Sequence, residues 1–137
     1  MTLTSIIIPT CARERQLTEC LEHLAPTIRG RSIENVEILV SCDSDLNRID
    51  SAIFQKFSYV KFIQGPARGP AANRNFASRQ AKGKWLLFLD DDCLPQRHWL
   101  SAMEREYKTS DIVEGRTVAE GPRYRLDLEA PVNRSGG

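Results

Sequence analysis

An α/β sandwich around a mostly parallel sheet is the fold this sequence predicts, and three observations predict it. Short apolar runs alternate with segments whose apolar residues recur at helical spacing, the pattern of strand–helix–strand units. The runs end abruptly in turn-forming or acidic clusters, so the loops that follow them share one rim of the sheet. The 137 residues, 41% hydrophobic and 27% charged, match one ordinary globular core. Disordered, collagen-like and coiled-coil chains are thereby excluded. With 19 basic and 18 acidic residues the net charge is +1, which argues against gripping nucleic acid through an overall field.

Ile6-Ile7-Ile8 is a β-branched run closed by Pro9, as in a buried strand feeding a loop. Leu17, Cys20, Leu21, Leu24 and Ile28 then mark one face of a helix. Val36-Glu37-Ile38-Leu39-Val40 reads as a second strand running into a polar turn over 41–47. Ile49, Ile53 and Phe57 repeat every four residues and predict a short helix, and 60–64 a third strand. Gly65-Pro66-Ala67-Arg68-Gly69-Pro70 is a loop by composition, with Pro70 suited to the first turn of a helix. That helix is expected over 71–81, stopping near Gly83. Trp85-Leu86-Leu87-Phe88-Leu89 is apolar at every position, which predicts a central strand covered on both faces. A further helix carries Trp99, Leu100, Met103 and Tyr107 on one face, with Pro95 near its start; Ile112-Val113 and Thr117-Val118 suggest another strand.

Beyond Ala119 the character changes. Tyr124, Leu126, Leu128 and Ala130 alternate with charged residues, which suits a half-buried strand. Either a partner covers it or the sequence is the front part of a longer protein, and left uncovered it would invite edge pairing. Cys11, Cys20, Cys42 and Cys93 form no C-x-x-C pair and no zinc spacing with His23 or His98, so reduced, packed thiols in a cytoplasmic protein are expected. The N-terminus lacks a basic n-region, and the longest apolar run, 85–89, is far below the roughly 20 residues that cross a bilayer.

Asp90-Asp91-Asp92 carries the strongest chemical signal. Adjacent carboxylates repel one another, so stability explains them poorly. In extended chain, residues i and i+2 point the same way, so Asp90 and Asp92 can converge while Asp91 faces elsewhere. Two carboxylates beside a phosphate suit Mg²⁺ or Mn²⁺. The alternative is that Asp91 or Asp92 caps the following helix. Between Gly65 and Lys84 lie five cations (Arg68, Arg74, Arg79, Lys82, Lys84) and no acid. Arg68 and Arg74 sit where a helix start already favours anions; Arg79, Lys82 and Lys84 read as a solvated face. Asp43 follows the second strand, where it either accepts a ring N–H of a base or bonds its own turn. Neither G-x-G-x-x-G nor the P-loop motif occurs.

Four blocks in series resemble the family 2 glycosyltransferases of GT-A fold, a Rossmann-like three-layer sandwich: Ser5-Ile6-Ile7-Ile8-Pro9-Thr10 with Arg13; Glu37-Ile38-Leu39-Val40 with Asp43-Ser44; Gly69-Pro70-Ala71-Ala72-Asn73-Arg74-Asn75; and 83–89 running into Asp90-Asp91-Asp92. The resemblance extends to about Gly121. It implies a donor-binding domain over 1–121, with 122–137 beginning an incomplete acceptor-side segment. It further implies a nucleotide-sugar donor, expected to be a UDP-sugar, Mn²⁺ or Mg²⁺ as cofactor, and transfer with inversion to a sugar, lipid or protein acceptor. Carried over, Pro9, Thr10 and Arg13 line the nucleotide pocket, Asp43 reads the base and Arg74 lies near base or phosphates. Asp90 faces ribose or metal, Asp91 counts with the donor-binding residues, and Asp92 ligates the metal.

The sequence departs from the family at Cys11-Ala12, where relatives often show an aromatic and an Asn, and at Cys42-Asp43, where paired acids are common. Family enzymes continue into a segment that supplies the acceptor site and the catalytic carboxylate. Nothing after Gly121 matches it, and Glu104, Glu106, Glu114 and Glu120 are not placed by pattern, so no base is assigned. Membrane association is not encoded in this segment; attachment to an inner membrane face is left to missing C-terminal parts. Two rivals are a non-catalytic nucleotide-diphosphate binding module and a Mg-dependent phosphoryl-transfer or receiver-like domain. The latter ranks last, since Cys93-Leu94 follows the acids where a Thr is wanted.

Overall fold

The computed structural model describes residues 3–32 and 34–118. In order come β1 (Thr4–Thr10), α1 (Glu14–Ile28), β2 (Val36–Cys42), a 3-10 turn at Leu46–Arg48, α2 (Ser51–Lys56), β3 (Val60–Gln64), α3 (Pro70–Gln80), β4 (Trp85–Phe88) and α4 (Trp99–Arg105). The chain divides into two compact units, 1–100 and 101–137. The first holds a four-stranded parallel sheet of order β3-β2-β1-β4.

Parallel strands need helices across their faces, and the sequence supplies them. β1 is central: all seven residues are buried, with Ile6, Ile7 and Ile8 at 0% exposure. α1 buries Leu17, Cys20, Leu21 and Leu24 as its spacing predicts; in the last turn Thr27 turns inward instead of Ile28, its hydroxyl donating to the Leu24 carbonyl at 2.8 Å. β2 and β3 fall where they are expected, and α3 packs on β1 and β2.

Two expectations are corrected. Among the described residues β4 is an edge of the sheet, not its centre, and these residues cover one face of it: Leu87 is 5% exposed, whereas Leu86 is 37% and Phe88 51%. An apolar run reports affinity for a cover, not the presence of one. Gly83 does not terminate α3, which gives way to an extended Ala81. Gly83 instead permits close approach to β1: its N–H donates to Ser5 Oγ at 2.8 Å, and a methyl there would stand 2.6 Å from the Ser5 nitrogen.

In the second unit no strand forms among the described residues. Ile112-Val113 and Thr117-Val118 lie in irregular chain, with Ile112 87% exposed, because pairs this short, separated by Glu114 and Arg116, give no continuous face to bury. The alternating stretch 124–130 lies outside the described residues. Among those described, no helix is long and apolar enough to cross a membrane.

Candidate functional site

The strand order reverses at β1: β2 and β3 step away on one side, and the chain then returns to place β4 on the other. Open parallel sheets bind ligands in the crevice at such a reversal, outside the strands' carboxyl ends. Here that crevice is a cleft of about 470 Å³. Its walls are Pro9, Thr10, Cys11 and Arg13 after β1, Asp43 after β2, Ala67, Gly69 and Pro70 before α3, Asn73 and Arg74 in the first turns of α3, and Asp90, Asp91 and Asp92 after β4. Every residue carried over from the sequence reaches this one cleft.

The three aspartates divide as expected, Asp90 and Asp92 together and Asp91 apart, but a turn and not extended chain divides them. The ladder to β1 runs on through the Leu89 N–H to the Ile7 carbonyl at 3.0 Å, and a turn then closes from the Cys93 N–H to the Asp90 carbonyl at 3.1 Å. One oxygen each of Asp90 and Asp92, with Cys93 Sγ, lie within 4.8 Å of one another. Asp91 points the other way and is 4% exposed. It accepts from the Thr10 hydroxyl at 2.8 Å and stands 3.3 Å from the Arg13 guanidinium. Burial raises its carboxyl above the ordinary value; the Thr10 hydroxyl and Arg13 pull it back down, while Asp92 and Asp90 push it up. Thr10, placed by sequence in the nucleotide pocket, thus holds Asp91. The helix-cap alternative fails for both Asp91 and Asp92, since α4 begins only at Trp99.

Cations face the two exposed acids. Arg74 donates to Asp90 Oδ1 at 2.8 Å, and Arg13 lies 3.5 Å from Asp92. Arg68 lies in the loop before α3 as expected, exposed and outside the lining; Arg79, Lys82 and Lys84 are exposed as a solvated face requires. Below the acids, burial pushes the Cys20 thiol up to about 12, and its S–H donates to the Asp90 carbonyl at 3.7 Å.

Asp43 does not bond its own turn. Its Oδ1 accepts from the Ala67 N–H at 3.0 Å, across to the loop before α3, and its N–H donates to the Thr10 carbonyl at 2.9 Å. The Ala12 N–H donates to Ser44 Oγ at 3.1 Å, tying the loops after β1 and β2 together. Sequence reasoning passed over Asn73 and Cys93 as site residues. Asn73 was legible only as a polar residue four positions before Ala77 on the inward face of a helix; Cys93 only as a thiol next to the acids.

The cleft therefore presents a carboxylate pair able to share a cation, beside guanidinium groups and a helix start that favour an anion. A metal-bridged diphosphate has this charge pattern.

Comparison with known proteins agrees in kind. The family model Glycosyl transferase family 2 matches residues 5–126. An uncharacterized glycosyltransferase of Haemophilus influenzae is 34% identical over 92 residues, covering 66% of this chain and 29% of that protein. The poly(ribitol-phosphate) beta-N-acetylglucosaminyltransferase TarS of Staphylococcus aureus is 30% identical over 93 residues, 64% of this chain and 16% of its own. Among solved structures, TarS 1-349 in complex with UDP-GlcNAc superposes with a TM-score of 0.65 at 27% identity, over 86% of this chain and 37% of that one. The mannosyltransferase PcManGT of Pyrobaculum calidifontis, solved with GDP-Man and Mn²⁺, gives 0.66 at 19% identity, over 89% and 36%, a likeness of fold. The chain spans well under half the length of these relatives.

Proposed function

The chain belongs to glycosyl transferase family 2 and has its GT-A fold, and from that premise we propose that residues 1–121 bind the nucleotide-sugar donor of an inverting transferase, with 122–137 opening the acceptor side. The observation that carries this is the meeting of Asp90, Asp92 and Arg74 in one cleft at the sheet's reversal.

A divalent ion fits the residues present. Asp90 and Asp92 are exposed hard-oxygen donors, the kind Mn²⁺ or Mg²⁺ prefers, and their ligand atoms lie within 4.8 Å of one another. When bound there, such an ion supplies Lewis-acid neutralisation of charge on a diphosphate. The chain's own residues do the rest. Arg74, released from Asp90, and the start of α3 hold phosphate oxygens. Thr10 and Arg13 fix Asp91, which keeps the loop carrying Asp90 and Asp92 in place. Asp43, already oriented by the Ala67 N–H, turns toward the base with its free oxygen, and Pro9 lines the same wall. UDP is the expected carrier, since TarS, solved in complex with UDP-GlcNAc, is 27% identical over the matched region.

Calorimetric titration of UDP-glucose and other nucleotide sugars, with and without Mn²⁺, tests this. Binding that needs the metal and is lost in Asp92→Ala supports it, and metal-independent binding opposes it. Release of free UDP on adding an acceptor marks turnover, and binding without release marks a binding module. Phosphorylation by a small phosphodonor would instead favour the receiver-like rival.

A further inference from the structure

Both acids that would hold the ion already carry a guanidinium. Arg74 donates to Asp90 Oδ1 at 2.8 Å. Arg13 spreads its fork across the neighbouring pair, with Nη1 3.3 Å from Asp91 Oδ1 and Nη2 3.5 Å from Asp92 Oδ2. The two arginines come from different elements, Arg13 from the N-cap of α1 and Arg74 from within α3, so no local pairing in sequence forces the arrangement. Three carboxylates thus stand against two guanidiniums, and the cluster keeps one net negative charge. A divalent ion draws its affinity from the carboxylate charge around it, and here most of that charge is compensated.

These pairs exchange readily. Side-chain exposure is 45% for Arg13, 54% for Asp92, 36% for Arg74 and 57% for Asp90, so water reaches every partner and separation costs little. Asp91 differs: its Oδ2 accepts from the Thr10 hydroxyl at 2.8 Å, and its Oδ1 keeps Arg13 tethered when Nη2 leaves Asp92. Arg74 lies beside the start of α3, which has no side-chain cap and itself attracts anions. A diphosphate arriving there competes with the carboxylates for the same two guanidiniums, whose forks match phosphate oxygens.

We propose that Arg13 and Arg74 gate the ion. They compensate Asp90 and Asp92 against a free divalent cation, and release both acids only when a diphosphate draws the guanidiniums away, so that ion and diphosphate enter as one. The proposal rests on the donor site described above and adds the order of its loading. An ion that bridges to phosphate is tightened by UDP in any case. Gating adds that removing either guanidinium strengthens binding of the ion alone, because a positive charge a few ångströms away lowers a divalent ion's affinity about tenfold in water.

The test follows the free Mn²⁺ paramagnetic resonance signal as wild type, Arg13→Gln, Arg74→Gln and Arg15→Gln are titrated, first with the metal alone and then with UDP present. Arg15, 90% exposed and paired with Glu19 on α1, controls for net charge. Wild type holds Mn²⁺ alone weakly, and UDP tightens it by about tenfold or more. Arg13→Gln and Arg74→Gln each bind Mn²⁺ alone about tenfold more tightly than wild type, and the tightening by UDP shrinks about tenfold in both. Arg15→Gln matches wild type. Should Arg13→Gln fail to fold, having lost a partner of buried Asp91, Arg74→Gln carries the test, since its pair is exposed. Arginines that merely position the acids would leave the affinity of the variants for Mn²⁺ alone unchanged or lower, and either result overturns the proposal. A gain in Arg15→Gln equal to theirs, or wild type holding Mn²⁺ equally with and without UDP, overturns it while leaving the donor site standing. Wild type that binds Mn²⁺ in neither condition removes the donor site, and the proposal with it.

Discussion

Thr10→Val removes one hydroxyl from the floor of the cleft and keeps the side chain's shape. Thr10 is 5% exposed and donates at 2.8 Å to Asp91, itself 4% exposed. After the change Asp91 keeps only Arg13 at 3.3 Å, a guanidinium 45% exposed and weakened by solvent. A hydrogen bond to a charged group contributes about 1.5–3 kcal/mol, so a loss of about 2 kcal/mol is expected near neutrality. The pH dependence carries the sharper test. Burial raises the Asp91 carboxyl above its unfolded value. A raised folded pKa gives a contribution that is full below the unfolded pKa and is lost as pH rises through the folded one. The Thr10 hydroxyl pulls that pKa down, so removing it lifts the pKa further, and the cost of the substitution grows from acid toward neutral pH. On the acid side only a neutral hydrogen bond is lost, about 1 kcal/mol. Urea unfolding of wild type and variant at about pH 4 and about pH 7.5, followed by tryptophan fluorescence, measures both values. An equal loss at the two pH values, or a larger one in acid, would refute the buried, hydroxyl-supported carboxylate.

Arg74→Ala breaks an ion pair whose side chains are 36% and 57% exposed, so the melting midpoint hardly moves, a change under about 1 kcal/mol. Affinity for UDP and for pyrophosphate, by calorimetry, falls about tenfold, because a charge-assisted bond to phosphate is lost. Gly83→Ala drives a methyl to 2.6 Å from the Ser5 backbone nitrogen and lowers stability by about 1–3 kcal/mol in chemical denaturation, although Gly83 is far from the cleft. Thiol labelling with mass-spectrometric readout finds exposed Cys11 reacting first. Cys20 and Cys42, each pushed up to about 12 by burial, stay unmodified at neutral pH until the protein unfolds.

The sheet was legible where residues are covered on both faces. Ile6-Ile7-Ile8 and Ile38-Leu39-Val40 announce themselves by composition, and β3 falls on its expected residues. Trp85 to Phe88 has the same composition yet lies at the edge among the described residues, because strand order is a property of the crossovers and no local pattern encodes it. Gly83 shows a second limit: a glycine after a helix suggests a cap, whereas this one yields room to Ser5, a neighbour 78 positions earlier in the chain. Within the site, the carboxylates were visible because clustered charge is locally improbable, and Asp90 and Asp92 do fall together, although a turn rather than extended backbone sets Asp91 apart. Their partners were not. That Thr10 serves Asp91, Arg74 serves Asp90 and Asp43 reaches Ala67 depends on three loops meeting at one rim. Asn73 was hidden for the same reason, since the carbonyl that orients it lies on another element.

Manganese paramagnetic resonance addresses the central claim, that Asp90 and Asp92 hold a cation against the donor's diphosphate. Adding wild-type protein and UDP labelled with ¹⁷O on its β-phosphate to Mn²⁺ is expected to remove the free-ion signal and broaden the bound one, and Asp90→Asn combined with Asp92→Asn to restore the spectrum of the ion with UDP alone. A bound, broadened signal that survives in the double variant would place the ion elsewhere and contradict the account.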